Sequence, residues 1–251
     1  PKTVPQFWAA VRFEMGTGNF ERAADRLKGL LDLNPDDDAL FDLVENPPKL
    51  LNAEKGMAQF LKLRNVPRWY PFDTVAKNDK PNEAAKANVN ELITKIAASY
   101  KTKMENPDRI RKFALALTGP VEEAAFALNE LKKSEAAVTP VFATMLSEKP
   151  AEEVRAGIFS AIPSLSESVV PGLVAYLAEA DATTQDGLLA ALRLRRDFRQ
   201  LADSAEIDPI PILWYIGNKE KTPDVVRKAT KSAIVELVGR DPTDNFEPFL
   251  R

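Results

Sequence analysis

Residues 154–177 read VRAGIFSAIPSLSESVVPGLVAYL and carry the pattern that decides the fold. The first half spaces its apolar side chains as an amphipathic helix does, with one face to bury. The second half opens on Val170-Pro171-Gly172-Leu173 and ends on Leu177. Proline in the first turn of a helix costs little, because its missing N–H has no helical partner there in any case. The stretch therefore predicts two consecutive helices, the second of which begins at a proline.

The same order of features recurs on both sides of this stretch. An apolar helix that ends near Leu131 precedes Pro140, and Leu165 lies 34 residues after Leu131. The later copies are Leu188–Leu192 with Ile210–Leu213, and Val226–Leu237. This order resembles the HEAT repeats and covers roughly residue 108 to the end of the chain. The resemblance implies an armadillo-like α-solenoid, in which each helix pair packs on its neighbours.

The N-terminal region shows a different helical pattern. Gly18, Phe20 and Ala23 are followed by Pro35, which lies fifteen residues after Phe20. This spacing resembles the tetratricopeptide motif, and it implies a helical hairpin whose second helix is stopped by Pro35. Trp8 lies on the apolar stripe of the partner helix and is predicted to be its buried anchor.

A proline- and aromatic-rich segment, Trp69-Tyr70-Pro71-Phe72, marks the predicted junction between domains. We predict that residues 1–80 form the tetratricopeptide-like region with accessory helices and this linker, and that residues 81–251 form the HEAT-like solenoid. No segment shows the period-two alternation that is typical of strands. The predicted fold class is therefore all-α.

Composition excludes several kinds of chemistry. The 251 residues include no cysteine and no histidine, and 34 basic against 37 acidic side chains give a net charge of −3. Thiol and imidazole catalysis, disulfides and Cys/His zinc sites are therefore excluded. The chain contains no apolar run of about 18 residues, so no membrane span is predicted. The pairs Glu122-Glu123 and Glu152-Glu153 fall in predicted first turns of helices, where the helix dipole favours negative charge. We predict a non-enzymatic protein with no cofactor and no metal.

One candidate partner-binding cluster is basic and lies at the C-terminal part of a predicted helix. Its members are Arg193, Arg196 and Arg199, with Arg195 between them. At this spacing several guanidinium groups share one face, as nucleic-acid binding requires. The structural alternative is that these arginines interact with the helix dipole and pair with Asp197 and Asp203.

A second candidate cluster is Arg68, Trp69 and Tyr70, because aromatic side chains and arginine are enriched at binding hot spots. In the alternative interpretation, this segment packs the N-terminal helices against the long helix predicted over residues 82–103. The other aromatic pair, Trp214-Tyr215, falls within a second helix of the solenoid and is predicted to lie in the core or in the packing between repeats.

The expected function is a scaffold that binds a protein or peptide on the concave surface of the solenoid. The alternative is a nucleic-acid-binding protein, since the basic cluster on a helical solenoid resembles the HEAT-like alkylpurine DNA glycosylases. The acidic overall composition makes nucleic acid the less favoured partner. The absence of cysteine gives a slight preference for an exported location over a cytoplasmic one.

The C-terminal end carries a further expectation. Pro248-Phe249-Leu250 has the pattern of another second helix, which would pack on the helix over residues 223–238. Without that partner, the helix is expected to expose Val225, Ala229, Ala233 and Val235. Exposed apolar patches mark interfaces, so the sequence predicts self-association through this end of the solenoid.

Overall fold

The computed structural model describes residues 1–46, 57–64, 83–200 and 208–238. Within these ranges the chain forms fourteen α-helices and no strand, which confirms the all-α fold class. The chain divides into two compact units, Pro1–Lys103 and Met104–Arg251. The boundary predicted between residues 80 and 81 lies outside the described residues and stays a prediction.

The first unit is built from five helices. They are α1 (Val4–Gly16), α2 (Phe20–Asp32), α3 (Asp37–Glu45), α4 (Ala58–Arg64) and α5 (Glu83–Met104), the last of which runs to the first residue of the second unit. α1 and α2 form a hairpin whose turn contains Gly18 at φ 79°, a left-handed conformation that glycine adopts without steric cost. α2 ends three residues before Pro35, as the sequence predicted. Trp8 is buried and its ring stacks on Phe60 of α4, which confirms its role as an anchor.

The second unit contains the other nine helices of the described residues. They are α6 (Pro107–Ala116), α7 (Val121–Lys132), α8 (Val138–Ser147), α9 (Glu152–Ala161), α10 (Val170–Leu177), α11 (Ala182–Arg193), α12 (Arg196–Gln200), α13 (Pro209–Asn218) and α14 (Asp224–Val238). Proline occupies the first turn of α10 and of α13, as expected. The two predicted glutamate pairs lie in the first turns of α7 and α9.

Contacts between these helices fall into two ordered series. The first series is α6, α9, α11 and α14, in which each helix contacts the next. The second series is α8, α10 and α13, again in contact one after another. Contacts of α6 with α8, of α10 with α11 and of α13 with α14 join the two series. α7 packs on α6, which is the first helix of the first series. The buried core lies between the two series and includes Phe142, Leu173, Leu188 and Leu213.

Glycine permits close approach between neighbouring helices in both series. An added Cβ on Gly172 of α10 would lie 2.6 Å from the Cγ2 atom of Thr139 on α8. An added Cβ on Gly187 of α11 would lie 2.1 Å from the Cε2 atom of Phe159 on α9. Both positions therefore hold residues without a side chain because a neighbouring helix occupies the space.

We expect Gly187→Ala to lower the free energy of unfolding by about 1 kcal/mol. Overpacking of a filled site costs about 1–3 kcal/mol, and the better helix propensity of alanine offsets up to about 1 kcal/mol of that cost. The matched control is Gly16→Ala in α1, where an added Cβ has no neighbour within 4 Å. That change is expected to stabilise the protein by about 0.4–1 kcal/mol. Urea denaturation of both variants measures the difference, and equal stabilisation of the two would show that the Phe159 ring moves aside without cost.

Candidate functional site

The outward side of α13 carries two large aromatic side chains. Ile210, Leu213 and Ile216 of this helix are buried, so helical periodicity turns Trp214 and Tyr215 outward. Trp214 is 36% exposed and Tyr215 is 52% exposed. The prediction that this pair lies in the core was wrong, because the core positions of α13 are taken by its aliphatic residues.

The outward sides of α8 and α10 continue this surface with small and uncharged side chains. We call the whole set the second-series face; its members are Pro140, Ala143, Thr144, Ser147, Pro171, Ala175, Tyr176, Pro211, Trp214, Tyr215 and Asn218, all exposed or half-buried. The Ser147 hydroxyl and the Tyr176 hydroxyl lie 2.9 Å apart and join α8 to α10. None of these eleven residues carries a charge. Depletion of charge together with exposed aromatic side chains is typical of the centre of a protein interface.

Charged side chains border the second-series face at the C-terminal ends of its helices. The Lys219 ammonium group lies 6.0 Å from the centre of the Tyr215 ring, within reach of a cation–π interaction. At the end of α8, the Arg111 guanidinium donates to both carboxylate oxygens of Glu148, at 3.1 and 2.5 Å. This hydrogen bonding lowers the pKa of Glu148 and raises the pKa of Arg111. The face thus has an uncharged centre and a charged margin, the usual anatomy of a binding surface.

The described members of the predicted basic cluster lie around the junction of α11 and α12 and have different environments. Arg193 forms an ion pair with Glu236 of α14, and this hydrogen bond raises the pKa of Arg193. Arg196 is exposed, and the side chain of Arg199 lies outside the described residues. Arg195, in contrast, is buried.

Arg195 has a structural role rather than a binding one. Its Nη1 donates to the carbonyl oxygens of Ile162 and Leu165 at 2.5 and 3.1 Å, and its Nη2 donates to that of Ser166 at 3.2 Å. Its Nε and Nη2 also donate to the Asp197 carboxylate at 2.9 and 2.5 Å. The guanidinium therefore ties the segment that follows α9, residues 162–166, to the chain between α11 and α12. The structural alternative, pairing with Asp197, is confirmed for Arg195, while Asp203 lies outside the described residues.

The other predicted cluster, Arg68, Trp69 and Tyr70, lies outside the described residues, so its role stays a prediction.

Sequence reasoning missed a groove of about 530 Å³ along α14. Its lining residues are Arg193, Lys228, Lys231, Ser232, Val235 and Glu236. The i, i+3, i+4, i+7 spacing of Lys228, Lys231, Ser232 and Val235 was the signal that could have shown it.

The exposure predicted for α14 is correct in part. Val225 is 61% exposed, and Ala229 and Val235 are half-buried. Ala233 is fully buried, contrary to the prediction, because it lies on the same side of the helix as Val226 and Thr230, which is packed inward. Residues 248–250, from which a further helix was predicted, lie outside the described residues.

Among the described residues, no group of acidic side chains is arranged to hold a metal ion, and no helix is long and apolar enough to cross a membrane. Comparison of the chain with known protein families, curated proteins and solved structures found no match.

Proposed function

We propose that this protein is a non-enzymatic interaction scaffold. In this proposal the second unit is an α-solenoid of HEAT-like repeats, preceded by a tetratricopeptide-like hairpin, and the second-series face binds a protein or peptide. The observation that carries the proposal is the exposure of Trp214 and Tyr215 on α13, at one end of an uncharged surface. Trp and Tyr dominate the binding energy of protein interfaces, because they contribute large apolar area at few rotatable bonds.

The ordered contacts of the helices support the solenoid part of the proposal. In a solenoid each repeat contacts its neighbours, so contacts run in series along the chain. The series α6, α9, α11, α14 and the series α8, α10, α13 have this order. Second helices of such repeats form one continuous surface, which is the surface on which the aromatic pair lies.

We expect the double substitution Trp214→Ala/Tyr215→Ala to weaken partner binding about 30-fold or more. Loss of a hot-spot side chain costs about 2 kcal/mol or more, which corresponds to about 30-fold in Kd. The measurement begins with affinity capture from an extract by the wild-type protein, with quantitative mass spectrometry. Each captured candidate is then titrated as a purified protein against both forms.

The matched control is Phe13→Ala/Leu33→Ala, which truncates two other exposed apolar side chains, both in the first unit. A partner of the second-series face is retained by this control and lost by the Trp214/Tyr215 variant. If every captured protein binds the two variants equally, the second-series face is not the binding site.

Nucleic-acid binding, related to the alkylpurine DNA glycosylases, is the alternative function. The groove along α14 is the observation that favours nucleic-acid binding, because three of the six residues that line the groove are cations: Arg193, Lys228 and Lys231. A gel shift at low salt separates the two functions, since binding to phosphates falls steeply as salt rises. A shift that is abolished by Lys228→Glu/Lys231→Glu but survives Trp214→Ala/Tyr215→Ala would replace the scaffold proposal with the nucleic-acid one.

A further inference from the structure

The outward side of α7 combines exposed apolar side chains with acidic ones. α7 buries Ala127 and Leu131, so the opposite side of the helix faces away from α6. Val121 is 86% exposed and Phe126 is 58% exposed. We call this surface the α7 face; its residues are Val121, Glu122, Glu123, Ala125 and Phe126, all exposed. The Phe126 ring is held by an edge contact with Phe113, whose centroid is 5.9 Å away.

The outward side of α14 combines apolar side chains with basic ones. α14 buries Val226, Thr230, Ala233 and Ile234, so the other side of this helix is left facing outward. We call it the α14 face; its residues are Val225, Lys228, Lys231, Ser232 and Val235. Val225 is exposed and Val235 is half-buried, and the two lysines lie between them along the helix.

The two faces are complementary in charge, and they lie on helices of similar length. The α7 face carries two carboxylates beside Val121 and Phe126, with the exposed Lys132 at the far end of the helix. The α14 face carries two ammonium groups beside Val225 and Val235, with the exposed Asp224 in its first turn, so the net charges of the two sides are opposite. At 1.5 Å per residue, the two helices are about 18 and about 22 Å long. We propose that the α7 face of one copy of this chain binds the α14 face of a second copy, with the apolar side chains in contact and the opposite charges paired around them.

This contact is heterologous, because it joins two different surfaces of the same chain. In a pair, one copy keeps an unoccupied α14 face and the other keeps an unoccupied α7 face, so assembly continues into open chains or closes into a ring. Two helix faces bury less than the roughly 800 Å² per partner of a standard stable interface. The assembly is therefore weak and concentration-dependent.

We expect the weight-average mass of the full chain, measured by sedimentation velocity, to rise with protein concentration. It is expected to fall as salt increases, because the Debye length shrinks from about 10 Å at 0.1 M to about 3 Å at 1 M and screens the paired charges. A mass equal to the monomer at all concentrations up to about 1 mM overturns the proposal.

Charge reversal identifies the two faces. Glu122→Lys/Glu123→Lys and Lys228→Glu/Lys231→Glu each place like charges opposite one another, so each double variant is expected to be monomeric. The quadruple variant, which carries both reversals, restores opposite charges and is expected to associate again, within about threefold of the wild-type affinity. An interface between two α14 faces predicts that Glu122→Lys/Glu123→Lys leaves association unchanged, and an interface between two α7 faces predicts the same for Lys228→Glu/Lys231→Glu. Either result would overturn the head-to-tail arrangement.

The matched control is Glu152→Lys/Glu153→Lys on α9, which makes the same charge change in the first turn of another helix. It is expected to leave the mass distribution unchanged, and circular dichroism confirms that every variant is folded. Loss of association in this control would show that the effect follows net charge and not the α7 face, which would also overturn the proposal.

Discussion

Replacing Trp8 by alanine is expected to lower the free energy of unfolding of the first unit by about 3–5 kcal/mol. Trp8 is 1% exposed, and its ring lies 4.7 Å from the centroid of Phe60 at an interplanar angle of 26°. Removing the indole leaves a cavity among α1, α2 and α4 and abolishes the stacking with Phe60. Urea denaturation followed by far-ultraviolet circular dichroism measures the loss without relying on tryptophan fluorescence.

The control for this variant is Trp8→Phe. The indole Nε1 of Trp8 is buried and has no hydrogen-bond acceptor among the described residues, so the native side chain already bears the cost of an unsatisfied donor. Phenylalanine keeps an aromatic ring against Phe60 and removes that donor, so its cost is expected to stay below about 1.5 kcal/mol. If phenylalanine costs as much as alanine, the Nε1 group contributes a hydrogen bond and the argument from burial is wrong.

Replacing Arg195 by leucine is expected to destabilise the second unit by about 3–5 kcal/mol, the usual cost of breaking a buried ion pair. The Arg195 side chain is 4% exposed and that of Asp197 is 18% exposed. The substitution leaves the Asp197 carboxylate without its cation and removes a side-chain donor from three carbonyl groups in the segment that follows α9. Arg195→Lys is expected to restore only part of the loss, because an ammonium group lacks the planar fork that reaches Asp197 and the carbonyls together.

Arg193→Leu is the matched control, two positions earlier in the chain. Arg193 also forms an ion pair, with Glu236, but both side chains are about one-third exposed, at 34% and 31%. Such a pair contributes about 0–1 kcal/mol, because solvent screens it and ordering the side chains has an entropic cost. Thermal and urea denaturation of both variants measure the contrast. A loss at Arg193 that equals the loss at Arg195 would contradict a structural role specific to Arg195.

The sequence predicted those features that depend on local periodicity and local chain geometry. The apolar stripes predicted helices, and the described residues are helical without a strand. Pro171 and Pro211 marked first turns of α10 and α13, because proline is tolerated there and not in a helix interior. The burial of Trp8 followed from its place on an apolar stripe beside a glycine-containing turn.

Only the tertiary structure decided which side of each helix is covered, and the candidate site depends on that choice. Trp214 and Leu213 are neighbours with similar local signals, yet Leu213 is in the core and Trp214 is exposed. Arg193 and Arg195 belong to one basic cluster in the sequence, yet one lies at the surface in an ion pair and the other is buried under three carbonyl groups. The physical reason is that a period of 3.6 residues specifies a stripe along a helix, whereas burial depends on neighbouring helices that are distant in the sequence. For this chain the sequence by itself therefore determined the helical class and the helix starts that proline marks, but not the break between α11 and α12. Packing between α11, α13 and α14 determined which of their side chains are left for a partner.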